Sequence, residues 1–304
     1  MGISDWLDKI TGNSKPPVIS VIMNCYNSEK YLYEAITSVL DQSFPNWEII
    51  FWDNQSTDNS ASIVKGIDDK RVRYFYAPLH TDLAEARNHA VREAKGEWIA
   101  FLDCDDIWLP EKVEKQIKRI EDHGDNTPGI VYCRTNVLRE DGSEIPFLFH
   151  PKDEPLREGW IIKDLLGVGN FIPFVSCLVK REAYWNVGGI PQQYTYGEDY
   201  YLLAAIAENH ITLAVQDMCC LYRQHSGNMS AVPRSEIWLE AIWILDKWSH
   251  HLPPDVVEKK RREYRTLEGI CMIKSGSVAK GISNILKNGS LGYLAAEFSR
   301  KFAK

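Results

Sequence analysis

The 304-residue chain has no apolar run near the roughly 20 residues that a membrane-spanning helix needs. No secretory signal pattern is present either, and Met-Gly at the start lacks the Ser or Thr at position 6 that myristoylation requires. None of the seven cysteines forms a Cys-x-x-Cys pair. Cys25, Cys104 and Cys177 lie inside or beside apolar runs, so the simple reading is reduced thiols in a cytosolic compartment. Positive charge is not in excess: 35 Lys and Arg against 42 Asp and Glu leave −7. That balance argues against a chain that coats nucleic acid. No Gly-x-Gly-x-x-Gly follows the first apolar strand, which removes a Rossmann dehydrogenase. There is no internal repeat and no low-complexity linker.

What is there is an ordinary globular composition, 44% hydrophobic and 25% charged. The length allows one large domain or two small ones and needs no staple to build a core. The stretch 98–108 organises the rest. Residues 98–102 have the pattern of a strand buried on both faces. Asp103, Asp105 and Asp106 follow, then Pro110 at a helix-opening position. Crowded carboxylates repel one another and are costly to desolvate. A divalent cation is the usual compensation, so Asp103 and Asp105 are read as flanking a hard metal, Mg²⁺ or Mn²⁺. The alternative is a solvated acidic turn capping the next helix.

Residues 18–23 predict a buried strand ending in Asn24-Cys25-Tyr26-Asn27, with Ser28 as N-cap of a helix striped by Tyr31, Leu32, Ala35, Ile36, Val39 and Leu40. A second strand, 47–52, runs into Asp53-Asn54-Gln55-Ser56-Thr57-Asp58, where Ser56 or Thr57 could cap the next helix. A third strand covers 72–76. Asp82 with Glu85 makes a capping-box variant, and Gly96 stops that helix. The first 110 residues therefore read β-α-β-α-β-α-β, the pattern of a parallel sheet with helices on both faces. Ligands bind such sheets outside the carboxyl ends of the strands. Three strand ends carry polar clusters, Tyr26-Asn27, Asp53-Asn54 and Asp103 to Asp106, and all three can meet on one rim.

Beyond residue 124 the pattern predicts a strand at 129–138, a hairpin turn at 140–143 and a short helix at 160–166. A strand at 174–180, an amphipathic helix at 200–207 and a last strand at 211–215 follow. From about Ile237 the chain reads all-helical. Trp238, Ala241, Ile242 and Leu245 form one stripe, and Lys259, Lys260, Arg261, Arg262 and Arg265 a basic face. At the start, Ile3, Trp6, Leu7 and Ile10 share a helical face. The division expected is an N-terminal segment 1–16, a domain 17–232 with halves 17–110 and 111–232, and a helical region 233–304. The amphipathic tail 291–302, with Arg300, Lys301 and Lys304, suits anionic lipid or a solvated surface alike. Homo-oligomerisation stays open.

The ordered motifs resemble family 2 glycosyltransferases, inverting nucleotide-sugar-dependent enzymes of the GT-A fold, over roughly residues 17–230. The run 19–27 looks like the family's first strand and its Tyr-Asn turn, which puts Tyr26 and Asn27 near the nucleoside. Residues 53–58 look like the family's Asp-Asp-Gly-Ser-Thr-Asp, with Asn54 and Gln55 where the family usually has Asp and Gly. The resemblance implies that Asp53 accepts from the nucleobase, a task for an acceptor-only carboxylate. Ala86-Arg87-Asn88 resembles a family segment near the nucleotide, making Arg87 a phosphate or uracil contact. Asp103-Cys104-Asp105 is similar to the family's Asp-x-Asp, with Asp105 a metal ligand and Asp103 touching ribose or metal. Gly197-Glu198-Asp199 resembles the Glu-Asp motif whose Asp is the general base, so Asp199 is implied in that role. Residues 222–230 look like Tyr-Arg-x-His…Asn-x-Ser, making His225 a metal ligand or diphosphate contact and Arg223 a phosphate clamp.

The resemblance thus implies a metal-dependent enzyme using Mn²⁺ or Mg²⁺. It moves a sugar from a nucleotide diphosphate donor, UDP-linked by the family's habit, to a glycan or lipid-linked hydroxyl. It would work in bacterial surface polysaccharide or glycolipid synthesis, in the cytoplasm or at the inner membrane face. Two alternatives remain. One is a catalytically inert nucleotide-sugar binder. The other is a haloacid-dehalogenase-like phosphatase, against which stand Ile107 at the fifth position of its motif and the late strand carrying it.

Overall fold

The computed structural model describes residues 17–124, 128–146, 149 and 151–302, without the side chains of Ser230 and 297–302. The expected helical face of Ile3, Trp6, Leu7 and Ile10, and the side chains of Arg300, Lys301 and Lys304, lie outside the described residues.

The apolar runs form the strands. β1 (Ile19–Cys25), β2 (Trp47–Asp53), β3 (Val72–Tyr76) and β4 (Trp98–Phe101) alternate with α1 (Glu29–Leu40), α2 (Ser60–Lys65) and α3 (Leu83–Glu93). β5 (Ile107–Trp108), α4 (Lys112–His123), β6 (Pro128–Arg139) and β7 (Glu144–Ile145) follow. Then come α5 (Ile162–Val168), β8 (Leu178–Lys180), α6 (Arg181–Asn186), α7 (Glu198–Ala207) and β9 (Ile211–Gln224). The chain closes with α8 (Glu236–Lys247), α9 (Pro254–Lys274), α10 (Val278–Asn288) and α11 (Leu291–Phe302). One mixed sheet runs β3-β2-β1-β4-β8-β6-β9-β5, with β7 beside β6. β3, β2, β1 and β4 are mutually parallel, as are β6 and β9, while β8 runs antiparallel to both β4 and β6. This is the α/β mostly parallel sheet flanked by helices, with helices at the C-terminal end, that the pattern predicts.

Both faces of the sheet are covered, so its strands read as continuous apolar runs. Val21, Met23 and Cys25 of β1 point to one core with Leu32, Ile36 and Val39 of α1. Ile22 points to the other, with Ala86, Ala90 and Val91 of α3 and the apolar residues of α7 and α8. A Cβ on Gly96 would lie 2.5 Å from the Ser20 backbone nitrogen. That glycine therefore lets the chain approach β1 closely, while α3 has already ended at Glu93.

Several local expectations need correction. Ser28 does not cap α1 with its side chain; its hydroxyl donates to the Tyr26 carbonyl at 3.3 Å. Asp58 serves both helices instead, accepting from the Glu29 and Ser60 N–H groups, each at 3.0 Å. α2 begins after Asn59, so neither Ser56 nor Thr57 caps it. In the expected strand 174–180, Pro173 starts a 3₁₀ turn over Phe174–Ser176, and only Leu178–Lys180 extends. α7 is not amphipathic: every residue but Asp199 is buried, because it is enclosed between the sheet and the C-terminal helices. β9 continues to Gln224, since a bulge between Val215 and Met218 absorbs exposed Gln216 and Asp217 before pairing with β6 resumes. The basic face of α9 is largely spent on internal ties, Arg261 to Asp246 at 2.7 Å, Arg265 to Glu268 at 2.8 Å and Lys260 to the Val168 carbonyl at 2.7 Å. Among the described residues no helix is long and apolar enough to cross a membrane.

Candidate active site

β1, β2 and β4 are parallel neighbours, so their carboxyl ends share one rim. Asn27 turns the chain after β1 with φ 51°, a left-handed conformation that asparagine tolerates. Its Oδ1 accepts from the Thr57 N–H at 2.8 Å, and its own N–H donates to Ser56 Oγ at 3.1 Å. These bonds zip the first turn to the second. Tyr26 stays half exposed, edge-on to His80 with ring centroids 4.5 Å apart.

Asp53 ends β2 and is fully buried. One oxygen accepts from the Ser56 N–H at 2.7 Å, the other from the Tyr74 hydroxyl at 2.6 Å. Asn54 shows why an amide stands here. Its Nδ2 donates to the Thr81 carbonyl at 2.7 Å and its Oδ1 accepts from the Thr81 N–H at 3.2 Å. A carboxylate could make only the second bond. Gln55 takes φ 71°, where glycine would be easier.

The 103–106 turn divides its carboxylates among four partners. Asp103 is about half exposed and accepts from Arg87 at 3.1 Å. Asp105 faces His225, with Nε2 and Oδ2 2.9 Å apart, and Asn228 adds a donor at 3.3 Å. Burial pushes the Asp105 carboxyl above its ordinary range, and the Asp103 charge adds to it, while His225 pulls the other way. Asp106 is buried and accepts from the Arg223 N–H at 2.8 Å.

Arg223 is committed as a brace. Its Nε donates to the Asp105 carbonyl at 2.8 Å, it pairs with Glu34 at 2.6 Å, and it lies over the Tyr31 ring at 4.3 Å. Arg87, from α3, is 4% exposed and forks between two acids: Asp103 at 3.1 Å and Glu198 at 2.6 Å. Its guanidinium also lies 4.8 Å from the Phe174 ring centre. One guanidinium therefore bridges the acidic turn of β4 and the first residue of α7. Asp199, next along, is partly open to solvent. Its oxygens accept from the Tyr200 N–H at 2.6 Å and Asn170 Nδ2 at 3.1 Å. Burial raises the Asp199 carboxyl above its usual range, against the Tyr200 N–H and Arg87; burial likewise pushes Glu198 up to about 7 despite Arg87.

Three supporting residues carry no sequence signal of this role. Glu240 of α8 is 4% exposed and accepts from three successive N–H groups: Thr195 at 3.1 Å, Tyr196 at 2.9 Å and Gly197 at 2.7 Å. It holds the loop that delivers Glu198 and Asp199. Asn88 pins the preceding turn, accepting from Ile190 N–H at 3.0 Å and donating to the Ile190 carbonyl at 2.7 Å. Glu34 is the third, through Arg223. Only Asn88 stands in a segment the sequence singles out, Ala86-Arg87-Asn88, and there without this role.

A cation fits the pair Asp105 and His225, whose ligand atoms already converge; a carboxylate and an imidazole with waters and phosphate oxygens is a donor set that Mn²⁺ or Mg²⁺ accepts. Asp103 faces Arg87 instead, and its ligand oxygen does not gather with those two within 4.8 Å.

Comparison with known proteins places the chain in a family. The model of glycosyl transferase family 2 matches residues 20–188. Over 153 residues the chain is 34% identical to TuaG of Bacillus subtilis strain 168, named as a glycosyltransferase of teichuronic acid biosynthesis, covering 50% of this chain and 60% of that one. Over 218 residues it is 29% identical to WfgD of Escherichia coli, a UDP-Glc:alpha-D-GlcNAc-diphosphoundecaprenol beta-1,3-glucosyltransferase, covering 70% and 80%. Two solved structures share the fold: S. aureus TarS 1-349 with UDP-GlcNAc (TM-score 0.61, 18% identity, 88% and 89% covered) and the Pyrobaculum calidifontis mannosyltransferase PcManGT with GDP-Man and Mn²⁺ (TM-score 0.61, 18% identity, 99% and 86% covered).

Proposed function

As a member of glycosyl transferase family 2 this chain is a glycosyltransferase, and we propose that it transfers one sugar from a nucleotide diphosphate donor to an acceptor hydroxyl with inversion at the anomeric carbon. The observation that carries the reading is Arg87, which ties Asp103 on the donor rim to Glu198 beside Asp199. The donor diphosphate lies over the 103–106 turn, where Asp105 and His225 would hold Mn²⁺ or Mg²⁺, with Tyr26 and Asn27 on the nucleoside side; Asp53, fully buried with both oxygens already paired, braces that turn from behind rather than meeting the base. When bound, that cation supplies positive charge against the leaving diphosphate.

Asp199 is the general base. A carboxylate at the start of α7, oriented by Asn170 and the Tyr200 N–H, takes the acceptor hydroxyl proton as its oxygen attacks the face opposite the leaving group. Arg87 keeps Glu198 and Asp103 in place and compensates their charge. Arg223 sets the turn rather than reaching outward. A UDP-linked donor and a lipid-diphosphate or glycan acceptor are favoured by the names of TarS in its complex and of WfgD.

The test uses Asp199→Asn and Asp105→Ala with a panel of donors. Asp199→Asn should bind donor within a few-fold of the parent while turnover falls by about 10²–10⁴. Asp105→Ala should lose the gain in donor affinity that Mn²⁺ provides. Product anomeric configuration by NMR should be inverted; a retained configuration overturns the mechanism. Donor binding with no transfer by the parent to any acceptor favours the inert binder.

A further inference from the structure

Among the described residues, one set of three His, Cys, Asp or Glu ligand atoms gathers within 4.8 Å, and it lies away from the proposed catalytic cleft: Glu208, His250 and His251. Glu208 follows directly on α7, at the end opposite Glu198 and Asp199. His250 and His251 occupy the short 3₁₀ turn between α8 and α9, stiffened by Pro253 and Pro254 just beyond. We propose that these three side chains form a zinc site that clamps the end of α7 to the α8–α9 turn.

The carboxylate is already oriented. Buried Trp248 donates its Nε1–H to Glu208 Oε2 at 2.8 Å, which leaves Oε1 turned to the imidazoles. Such support of a ligating carboxylate is the usual outer-shell arrangement of a metal site. Oε1 stands 3.7 Å from His251 Nε2 and 3.9 Å from His250 Nε2. These separations are too long for hydrogen bonds. They are close to the roughly 3.3–3.5 Å between ligand atoms around a tetrahedral Zn²⁺ with bonds of about 2.0–2.2 Å. His251 Nε2 is buried with no hydrogen-bond partner, an unmet group that a cation would satisfy. The two rings are tilted by 38° with centroids 4.2 Å apart. The more exposed His250 leaves the fourth position to water. Two imidazoles and one carboxylate select a borderline ion such as Zn²⁺ over the harder Mg²⁺, so this site and the one at Asp105 take different cations.

The test is a Zn²⁺ titration by calorimetry of chelator-treated protein in excess Mg²⁺. One equivalent should bind, and Co²⁺ in its place should give the visible absorption of a tetrahedral site. His225→Ala, which removes the imidazole beside Asp105, should leave this binding intact and so separates it from the proposed donor site. His250→Ala, at a mostly exposed side chain that the fold tolerates, and Glu208→Gln should each weaken it at least tenfold, the low end of what ligand-supporting changes cost. Zn²⁺ should raise the unfolding temperature of the parent but not of those variants. No bound equivalent, one lost in His225→Ala, or one unaffected by His250→Ala and Glu208→Gln, overturns the proposal.

Discussion

Removing the Glu240 carboxylate tests whether α8 is part of the catalytic apparatus. Glu240→Ala orphans three N–H groups, those of Thr195, Tyr196 and Gly197. Hydrogen bonds to a charged acceptor contribute about 1.5–3 kcal/mol each. Water can reach Thr195, which is exposed, so its orphaned N–H costs little. The losses at Tyr196 and Gly197 then give about 3–6 kcal/mol. In a chain this size each kcal/mol lowers the unfolding temperature by roughly 2–4 °C, so a fall near 10 °C is expected. Glu240→Gln is the sharper probe. Its one carbonyl oxygen can accept from both Tyr196 and Gly197, but its amide NH₂ then faces the Thr195 N–H, donor against donor. That variant should fold with a cost of about 1–3 kcal/mol. Gly197 immediately precedes Glu198 and Asp199, and displacements near 1 Å can cost about 10²-fold in rate. Turnover should therefore fall by about 10- to 100-fold in Glu240→Gln, with donor affinity within a few-fold of the parent. The assays are urea unfolding, donor calorimetry and initial rates with saturating acceptor. Parental stability and turnover in Glu240→Ala would refute the reasoning.

Arg87→Met leaves Glu198 buried and unpaired; it should cost about 3–5 kcal/mol in urea unfolding, and Arg87→Lys, which cannot fork to both acids, should fall between. Asn54→Asp keeps one bond to Thr81 and sets a carboxylate oxygen against the Thr81 carbonyl, a loss of about 1–3 kcal/mol readable as a lowered unfolding temperature. Because burial raises the Asp199 carboxyl, the base is protonated at pH values where an ordinary Asp is ionised. The rate should therefore decline as pH falls through a midpoint above the ordinary Asp value of 3.8; a kcat profile flat down to about pH 4 contradicts this. His225→Ala should weaken Mn²⁺-dependent donor binding while leaving metal-free binding near the parent value, measured by calorimetry.

The rim of the sheet was legible because its logic is local and periodic. An apolar run followed at once by Asn27, Asp53 or Asp103 names a strand end, and parallel pairing puts neighbouring strand ends on one side. Asp199 was legible only through its family resemblance, since an acidic pair at a helix start also suits the helix dipole. What escaped depends on partners distant in sequence. Arg223 reads as a phosphate clamp until the Asp105 carbonyl and Glu34 are seen to engage its Nε and one terminal nitrogen. Asn54 reads as a departure from an acidic pattern until the Thr81 carbonyl is seen to need a donor. Glu240 reads as a polar residue beside the stripe of Ala241 and Ile242, yet it is as buried as they are. Periodicity reports which face of a helix is apolar; it does not report a carboxylate enclosed against backbone N–H groups from another element. The same holds for Arg87, whose place on α3 is periodic but whose two acids come from β4 and α7. Where a side chain's partner arrives from another element, the geometry of the fold, not the local pattern, determines what it does. Apart from the neighbouring Tyr200 N–H, the residues that position the proposed base, Asn170, Glu240 and Arg87, are of that kind.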